Sequence, residues 1–227
     1  MKDRPTEPVV GLALAAVPPR AEVGDALVSK RYSSLDDLPP GARVGTGSKR
    51  RQSQLLHLRA DLVVADIRGN VETRLQKLDD GEYDAIILAQ AGLSRLGLTD
   101  RITQRLSPDQ MLPAVGQGAL GIETRAGDEM TIAAIVVLDD ASTRAAVTAE
   151  RSMLATLLGG CLAPVGAWAR VDRGALILDG VVLSTDGQQR VATQVSDDLP
   201  MANRIGQYAA EELLAQGAGD LIEAARA

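Results

Sequence analysis

The sequence is poor in the residues that most catalytic and metal sites use. Its 227 residues include one cysteine, one histidine and no phenylalanine. A lone cysteine cannot form an internal disulfide or a structural zinc site, so no metal site is predicted. His57 is the single possible base for a Ser-His-Asp or Cys-His arrangement, which makes that chemistry a poor candidate. Cys161 is left as either a buried thiol or a reactive one.

Long hydrophobic runs are also absent. No run of eighteen uncharged apolar residues occurs, and the N-terminal MKDRPTEP lacks the apolar stretch of a secretion signal. We therefore expect a cytoplasmic protein with no membrane partner. The net charge of −6 argues against non-specific binding to nucleic acid.

Positive charge is concentrated in one segment of this acidic chain. Residues 43–77 hold eight Lys or Arg against three acids, a net +5, which leaves −11 elsewhere. Arginine pairs with carboxylate or phosphate in a two-pronged geometry and keeps its charge. The segment therefore predicts a local site for a small acidic ligand.

Residues 41–97 alternate between strand and helix patterns. A strand ending in VGTGS precedes the helix KRRQSQLLHLR, and DLVVADI, NVETRLQKL and YDAIILA follow. This βαβαβ order predicts a parallel sheet, whose ligands bind at the carboxyl ends of the strands. The two loops expected there, GTGSKRR and IRGN, carry the arginines. Ser48 and Asn70 are placed as N-caps.

The C-terminal part has a different pattern. A helix-forming segment, ASTRAAVTAERSMLATLL, ends at two glycines, so Cys161 is expected on a loop. Three strands separated by the turn signals DRG and TDG predict an antiparallel meander. A last amphipathic helix, with Ile205, Ala209, Leu213 and Leu214 on one face, covers it.

Four segments in series resemble the hydroxymethylbilane synthase (porphobilinogen deaminase) family. Their order and spacing match over nearly the whole chain. The segments are GTGSKRRQSQL, IRGNVETRLQKLDDGEYDAIILAQAGLSRLGL, LPAVGQGALGIETR and ERSMLATLLGGCLAPVGAWA.

The resemblance implies an α/β fold with two domains like type II periplasmic binding proteins and a small α/β C-terminal domain. Residues 1–23 and 113–138 would belong to an incomplete first domain, and residues 24–112 to the second, carboxylate-binding domain. The C-terminal domain, 139–227, would contain the three-stranded antiparallel sheet and carry the cofactor cysteine.

The resemblance also implies a transferase of tetrapyrrole (porphyrin, haem) biosynthesis. Enzymes of this family join four porphobilinogen molecules head to tail, with loss of ammonia, on a dipyrromethane cofactor that is bound to cysteine through a thioether. Cys161 matches that cysteine. Porphobilinogen and its linear oligomers carry two carboxylates per ring, so arginines are their natural complement. A monomer is expected.

Site residues follow from the family motifs. Asp3 matches the catalytic aspartate, whose carboxylate stabilises positive charge on the reacting pyrrole. Arg68 would serve the incoming ring, and Gln117 would line the substrate cleft, although a hinge or packing role for Gln117 stays open. Residues matching the cofactor-binding set are Lys2, Thr46, Ser48, Arg50, Arg51 and Arg74.

By this resemblance the chain would begin inside the first domain, without the opening strand and helix of the family. Two classes of function are therefore expected. The chain is either an enzyme using the residues above or an inactive α/β remnant that only binds small anions.

Overall fold

The computed structural model describes residues 1–2, 9–157 and 163–226, and the mixed α/β class is confirmed. The strands are β1 (Leu12–Ala16), β2 (Asp25–Ser29), β3 (Arg43–Gly45), β4 (Val63–Ala65), β5 (Ala85–Ala89), β6 (Gln104–Leu106), β7 (Ile122–Arg125), β8 (Val165–Asp172), β9 (Ala175–Leu183) and β10 (Arg190–Asp198). The helices are α1 (Lys49–Leu58), α2 (Val71–Asp79), α3 (Gln90–Arg95), α4 (Glu129–Ile135), α5 (Ala141–Thr156), α6 (Ala202–Ala215) and α7 (Ala218–Ala224). Within the described ranges no helix is long and apolar enough to cross a membrane.

The middle of the chain forms a five-stranded sheet in the order β4-β3-β5-β2-β6. β3 pairs in parallel with β4 and β5, as the alternating pattern predicts. β2 lies antiparallel between β5 and β6, and the sequence reading did not identify it. Its residues DALVS are buried on both faces, so they lack the alternation that marks a half-exposed strand.

The predicted helix starts are confirmed. Ser48 caps α1 by accepting a hydrogen bond from the backbone N–H of Arg51, and Asn70 caps α2 by accepting one from Thr73. Gly81, two residues beyond α2, has φ of +82°, a backbone conformation that glycine adopts without strain. These caps place the loops 46–48 and 66–70 at the carboxyl ends of β3 and β4.

A second, two-stranded antiparallel sheet pairs β1 with β7. The segments that join it to the five-stranded sheet run through residues 17–24 and 107–121. The domain boundaries predicted at residues 23 and 113 fall in these connections and stay a prediction.

The predicted C-terminal meander is confirmed. β8, β9 and β10 form an antiparallel sheet, and α5 and α6 pack on one of its faces. In α6, Ile205, Ala209 and Leu213 recur every fourth residue and are fully buried. Leu214 was expected on the same face but is 41% exposed, because position i+1 turns about 100° away from it.

Close packing of α6 on α5 depends on Gly206. A Cβ at this position would lie 2.3 Å from the carbonyl oxygen of Ala149. We expect Gly206→Ala to lower the free energy of unfolding by about 1–3 kcal/mol through overpacking, despite the higher helix propensity of alanine. Urea unfolding followed by circular dichroism measures the difference.

Gly219→Ala in α7 is the matched control. Its nearest neighbour would be a Leu214 methyl at 3.6 Å, an ordinary contact. It should be neutral or stabilising by up to about 1 kcal/mol. Equal stability of the two variants would contradict the close-packing account.

Candidate functional site

The loops after β3 and β4 lie against each other at the carboxyl edge of the five-stranded sheet. A Cβ at Gly47 would lie 3.0 Å from both Asp66 Oδ1 and the carbonyl oxygen of Ile67, and 3.6 Å from Arg68 Cζ. Glycine is therefore needed for this close approach. Thr46 is 3% exposed, and its hydroxyl accepts a hydrogen bond from the Ser48 N–H at 3.2 Å.

Arg68 lies on the loop that follows β4, and Arg74 lies in the first half of α2. Arg68 is exposed and donates to Asp66 Oδ2 at 2.8 Å, and Arg74 is half-buried and donates to the Gly69 carbonyl at 2.8 Å. Burial, and after it the positive charges of Arg51 and Arg68, hold the pKa of Arg74 below its usual value. Positive charges that act on one another in this way favour an anionic ligand.

Arg50 and Arg51 are buried and share one carboxylate, that of Asp25. Arg50 Nη2 donates to Asp25 Oδ2 at 2.7 Å, and Arg51 Nη2 donates to Oδ1 at 2.7 Å. Arg51 Nη1 also donates to the Ile87 carbonyl, and Arg50 Nη1 to the Leu112 carbonyl. Arg50 Nε is buried and has no hydrogen-bond partner among the described residues.

Asp25 is fully buried at the first position of β2. Burial alone would raise its pKa, but the charges and hydrogen bonds of Arg50 and Arg51 outweigh burial and lower the pKa to about 2. The carboxyl group is therefore ionised at every pH at which the protein would be used.

Gln117 joins this ion-pair group to the connecting segments. It is 1% exposed, and its Nε2 lies 2.6 Å from the Val23 carbonyl and 3.0 Å from Asp25 Oδ1. The backbone carbonyl of Gln117 accepts a hydrogen bond from Arg20 Nε at 2.8 Å. These contacts leave the side-chain amide engaged with the protein.

A second buried carboxylate lies on the other side of Gln117. Glu150 in α5 is fully buried and binds Arg20 through both oxygens, at 2.6 and 3.0 Å. It also accepts the backbone N–H of Gly116 at 2.6 Å and that of Ala169 at 2.8 Å. It therefore ties a connecting segment to α5 and β8.

The remaining predicted residues are near the N-terminus and after α5. Lys2 is exposed, and its backbone N is 3.2 Å from the position that a Cβ on Gly116 would take. This places residues 1–2 beside the neighbour of Gln117. Asp3 and Cys161 lie outside the described residues, so their roles stay predictions.

Sequence reasoning missed Asp25, Glu150 and Arg20. For Glu150 a signal was present, because it falls four residues after Ala146 and three before Met153, on the apolar stripe of α5. A charge on a buried stripe requires a partner. Asp25 gave a weaker signal, a lone acid at the start of the apolar run ALV.

A separate cavity of about 570 Å³ lies between α1 and the open face of the C-terminal sheet. Its lining includes Trp168, Arg170 and His57, and His57 Nδ1 lies 2.9 Å from the Gly187 carbonyl. None of the predicted site residues that the structure describes lines it, so the cavity and the basic loops are distinct features.

Comparison with known families gives two adjoining matches. The porphobilinogen deaminase, dipyromethane cofactor binding domain matches residues 1–133, and the porphobilinogen deaminase C-terminal domain matches residues 143–215. The porphobilinogen deaminase of Desulforudis audaxviator is 49% identical over 227 residues, which are 100% of this chain and 74% of the relative. That of Brevibacillus brevis is 49% identical over 223 residues, 98% of this chain and 72% of the relative.

The solved structures to which parts of the chain are similar include two binding proteins. An arginine-specific periplasmic binding protein from Salmonella typhimurium is 17% identical, covers 53% of this chain and 55% of its own, and gives a TM-score of 0.34. A nutrient-binding protein from Burkholderia cenocepacia, bound to methionine, is 15% identical and gives a TM-score of 0.38. The match covers 56% of this chain and 61% of the Burkholderia protein.

The ion pairs of Asp25 predict a specific dependence of stability on pH. The pKa of Asp25 is 3.8 in the unfolded chain and about 2 in the folded protein. This difference adds about 2 kcal/mol to the free energy of unfolding above pH 4, and the contribution is lost as the pH falls toward 2. The difference in unfolding free energy between wild type and Asp25→Asn should therefore shrink by about that amount between pH 5 and pH 2. Urea titrations at stepped pH measure it, and a constant difference would contradict the ion-pair assignment.

Proposed function

The chain belongs to the porphobilinogen deaminase family, and from that premise we propose that it is a hydroxymethylbilane synthase. It would join four porphobilinogen molecules head to tail, release ammonia at each step, and deliver the linear tetrapyrrole of porphyrin and haem biosynthesis. The finer expectations, a monomer in the cytoplasm with porphobilinogen and its linear oligomers as its ligands, are part of the same proposal.

The observation that carries the proposal is the group of arginines around the loops after β3 and β4. Arg51 and Arg68 both act electrostatically on Arg74, and among the described residues the three arginines have ion pairs with two acids, Asp25 and Asp66. A ligand with two carboxylates on every ring complements such a group. A desolvated arginine–carboxylate contact contributes about 1.5–3 kcal/mol, or about 10- to 200-fold in affinity.

The same residues fit the dipyrromethane cofactor of the family. The polar cap at Ser48, the glycine-lined loop at Gly47 and the half-buried Arg74 provide donors for several carboxylates at one edge of the sheet. When bound, the dipyrromethane supplies the pyrrole end to which new units are joined. Cys161 would hold it through a thioether, because a thiolate is a strong nucleophile toward an electrophilic methylene carbon.

The remaining assignments also belong to the proposal. Asp3 would stabilise the positive charge on the reacting pyrrole, and Lys2 and Thr46 would support the cofactor side of the cleft. Arg68, the most exposed arginine of the group, would meet the incoming ring. The guanidinium of Arg50 binds Asp25 and the Leu112 carbonyl, so Arg50 would contribute positive charge to the cofactor site from a buried position.

Mass spectrometry of the purified protein provides the first test. Protein incubated with porphobilinogen should carry a dipyrromethane adduct on the peptide that contains Cys161, and Cys161→Ser should carry none. Porphobilinogen consumption, measured on the same samples, should follow the adduct. An unmodified thiol together with absent turnover would favour the small-anion-binding alternative.

Substitution of Arg74 tests the basic group. Arg74→Met keeps most of the side-chain volume but removes the charge, so the fraction of protein carrying the adduct and the affinity for porphobilinogen should fall about 10- to 200-fold. Arg43→Met is the control, because Arg43 lies at the amino end of β3 and stacks on Tyr83, 5.3 Å from the ring centroid. Equal losses in both variants would show a non-specific charge effect.

A further inference from the structure

Asp25 is not among the residues that the family motifs indicate, yet it binds two of them directly. Its two carboxylate oxygens accept three hydrogen bonds from Arg50 and Arg51 at 2.7–3.1 Å. It is the one acid that the described residues pair with these two arginines. The orientation of both guanidinium groups therefore depends on a single buried side chain.

The group formed by Asp25, Arg50 and Arg51 retains positive charge and N–H donors that a ligand could use. One carboxylate faces two guanidinium groups, so the buried group keeps one net positive charge. Three of the five N–H groups of Arg51 are engaged, two with Asp25 and one with the Ile87 carbonyl, which leaves two. Arg51 is also the partner whose charge acts most on Arg74.

Asp25 is in turn held by the connecting segments. Gln117 Nε2 lies within 3.5 Å of the Val23 and Gly24 carbonyls and of Asp25 Oδ1. The Gln117 carbonyl accepts from Arg20, which binds Glu150 in α5. A continuous set of hydrogen bonds thus runs from the arginines of α1 to the helix that precedes Cys161.

We propose that Asp25 is a positioning residue for carboxylate binding. It fixes the guanidinium groups of Arg50 and Arg51 so that the remaining N–H groups of Arg51 keep one orientation for a carboxylate, and the Gln117 amide holds Asp25 against the segments that join the two sheets. The inference rests on the proposed function, since it concerns how the same site receives pyrrole carboxylates.

Steady-state kinetics with porphobilinogen test the role in Asp25→Asn, which keeps the shape of the side chain and removes its charge. KM should rise by about tenfold or more, because the two guanidinium groups repel and lose their fixed geometry, and kcat should change less than about threefold. Intact mass gives the fraction of protein carrying the Cys161 adduct, and this should fall in parallel. Thermal melting records the loss of stability separately.

Asp84→Asn is the matched control. Asp84 pairs with Arg31 and accepts the Arg43 backbone N–H at 2.8 Å, at the amino edge of the same sheet. It should lower the melting temperature and leave KM and adduct fraction unchanged. A KM increase of similar size in both variants would reduce Asp25 to a stabilising role and overturn the proposal.

Gln117→Met decides the case if Asp25→Asn does not fold, because it leaves both ion pairs in place and removes the side-chain amide hydrogen bonds to Asp25 and to the Val23 and Gly24 carbonyls. Its KM should rise about threefold or more with kcat retained. If the wild type is active and the folded variants have the same KM as the wild type, the positioning role is overturned but the proposed function is not. A wild type with neither adduct nor turnover overturns the proposed function itself.

Discussion

The structure depends on the cost of placing charged groups out of water where the chain crosses between its sheets. A buried carboxylate is stable only when cations and N–H groups surround it. Asp25 and Glu150 meet this requirement with Arg50, Arg51 and Arg20, and Gln117 lies between them. The crossing segments are therefore held by directional bonds in addition to the apolar contacts of residues such as Val17, Val115 and Ala119.

This requirement divides the arginines into two groups with different properties. Those that neutralise a buried acid cannot turn toward solvent without leaving an uncompensated charge, at a cost of about 3–5 kcal/mol. Arg68 and Arg74 have no such obligation, since they pair with an exposed carboxylate and a backbone carbonyl. Exchanging these partners for those of a ligand would cost little, because neither partner is a buried charge.

The sequence predicted the local features well and the long-range ones poorly. Periodicity and capping residues gave α1, α2, α5 and the C-terminal meander, because these depend on neighbours a few positions away. β2 was missed because a strand buried on both faces has no alternation. The pairing of Asp25 with Arg50 and Arg51 was missed because it joins residues 25 and 26 positions apart, and no periodic pattern encodes such a contact.

The KRR motif shows why a count of basic residues overestimates the contacts available to a ligand. Successive helical residues point about 100° apart, so three adjacent cations cannot face one ligand. Lys49 is exposed, whereas Arg50 and Arg51 are both buried and pair with Asp25. One motif thus supplies a solvated charge and two internal counter-ions. A site that needs several carboxylate contacts would have to draw on the loop after β4 and on α2, where Arg68 and Arg74 are found.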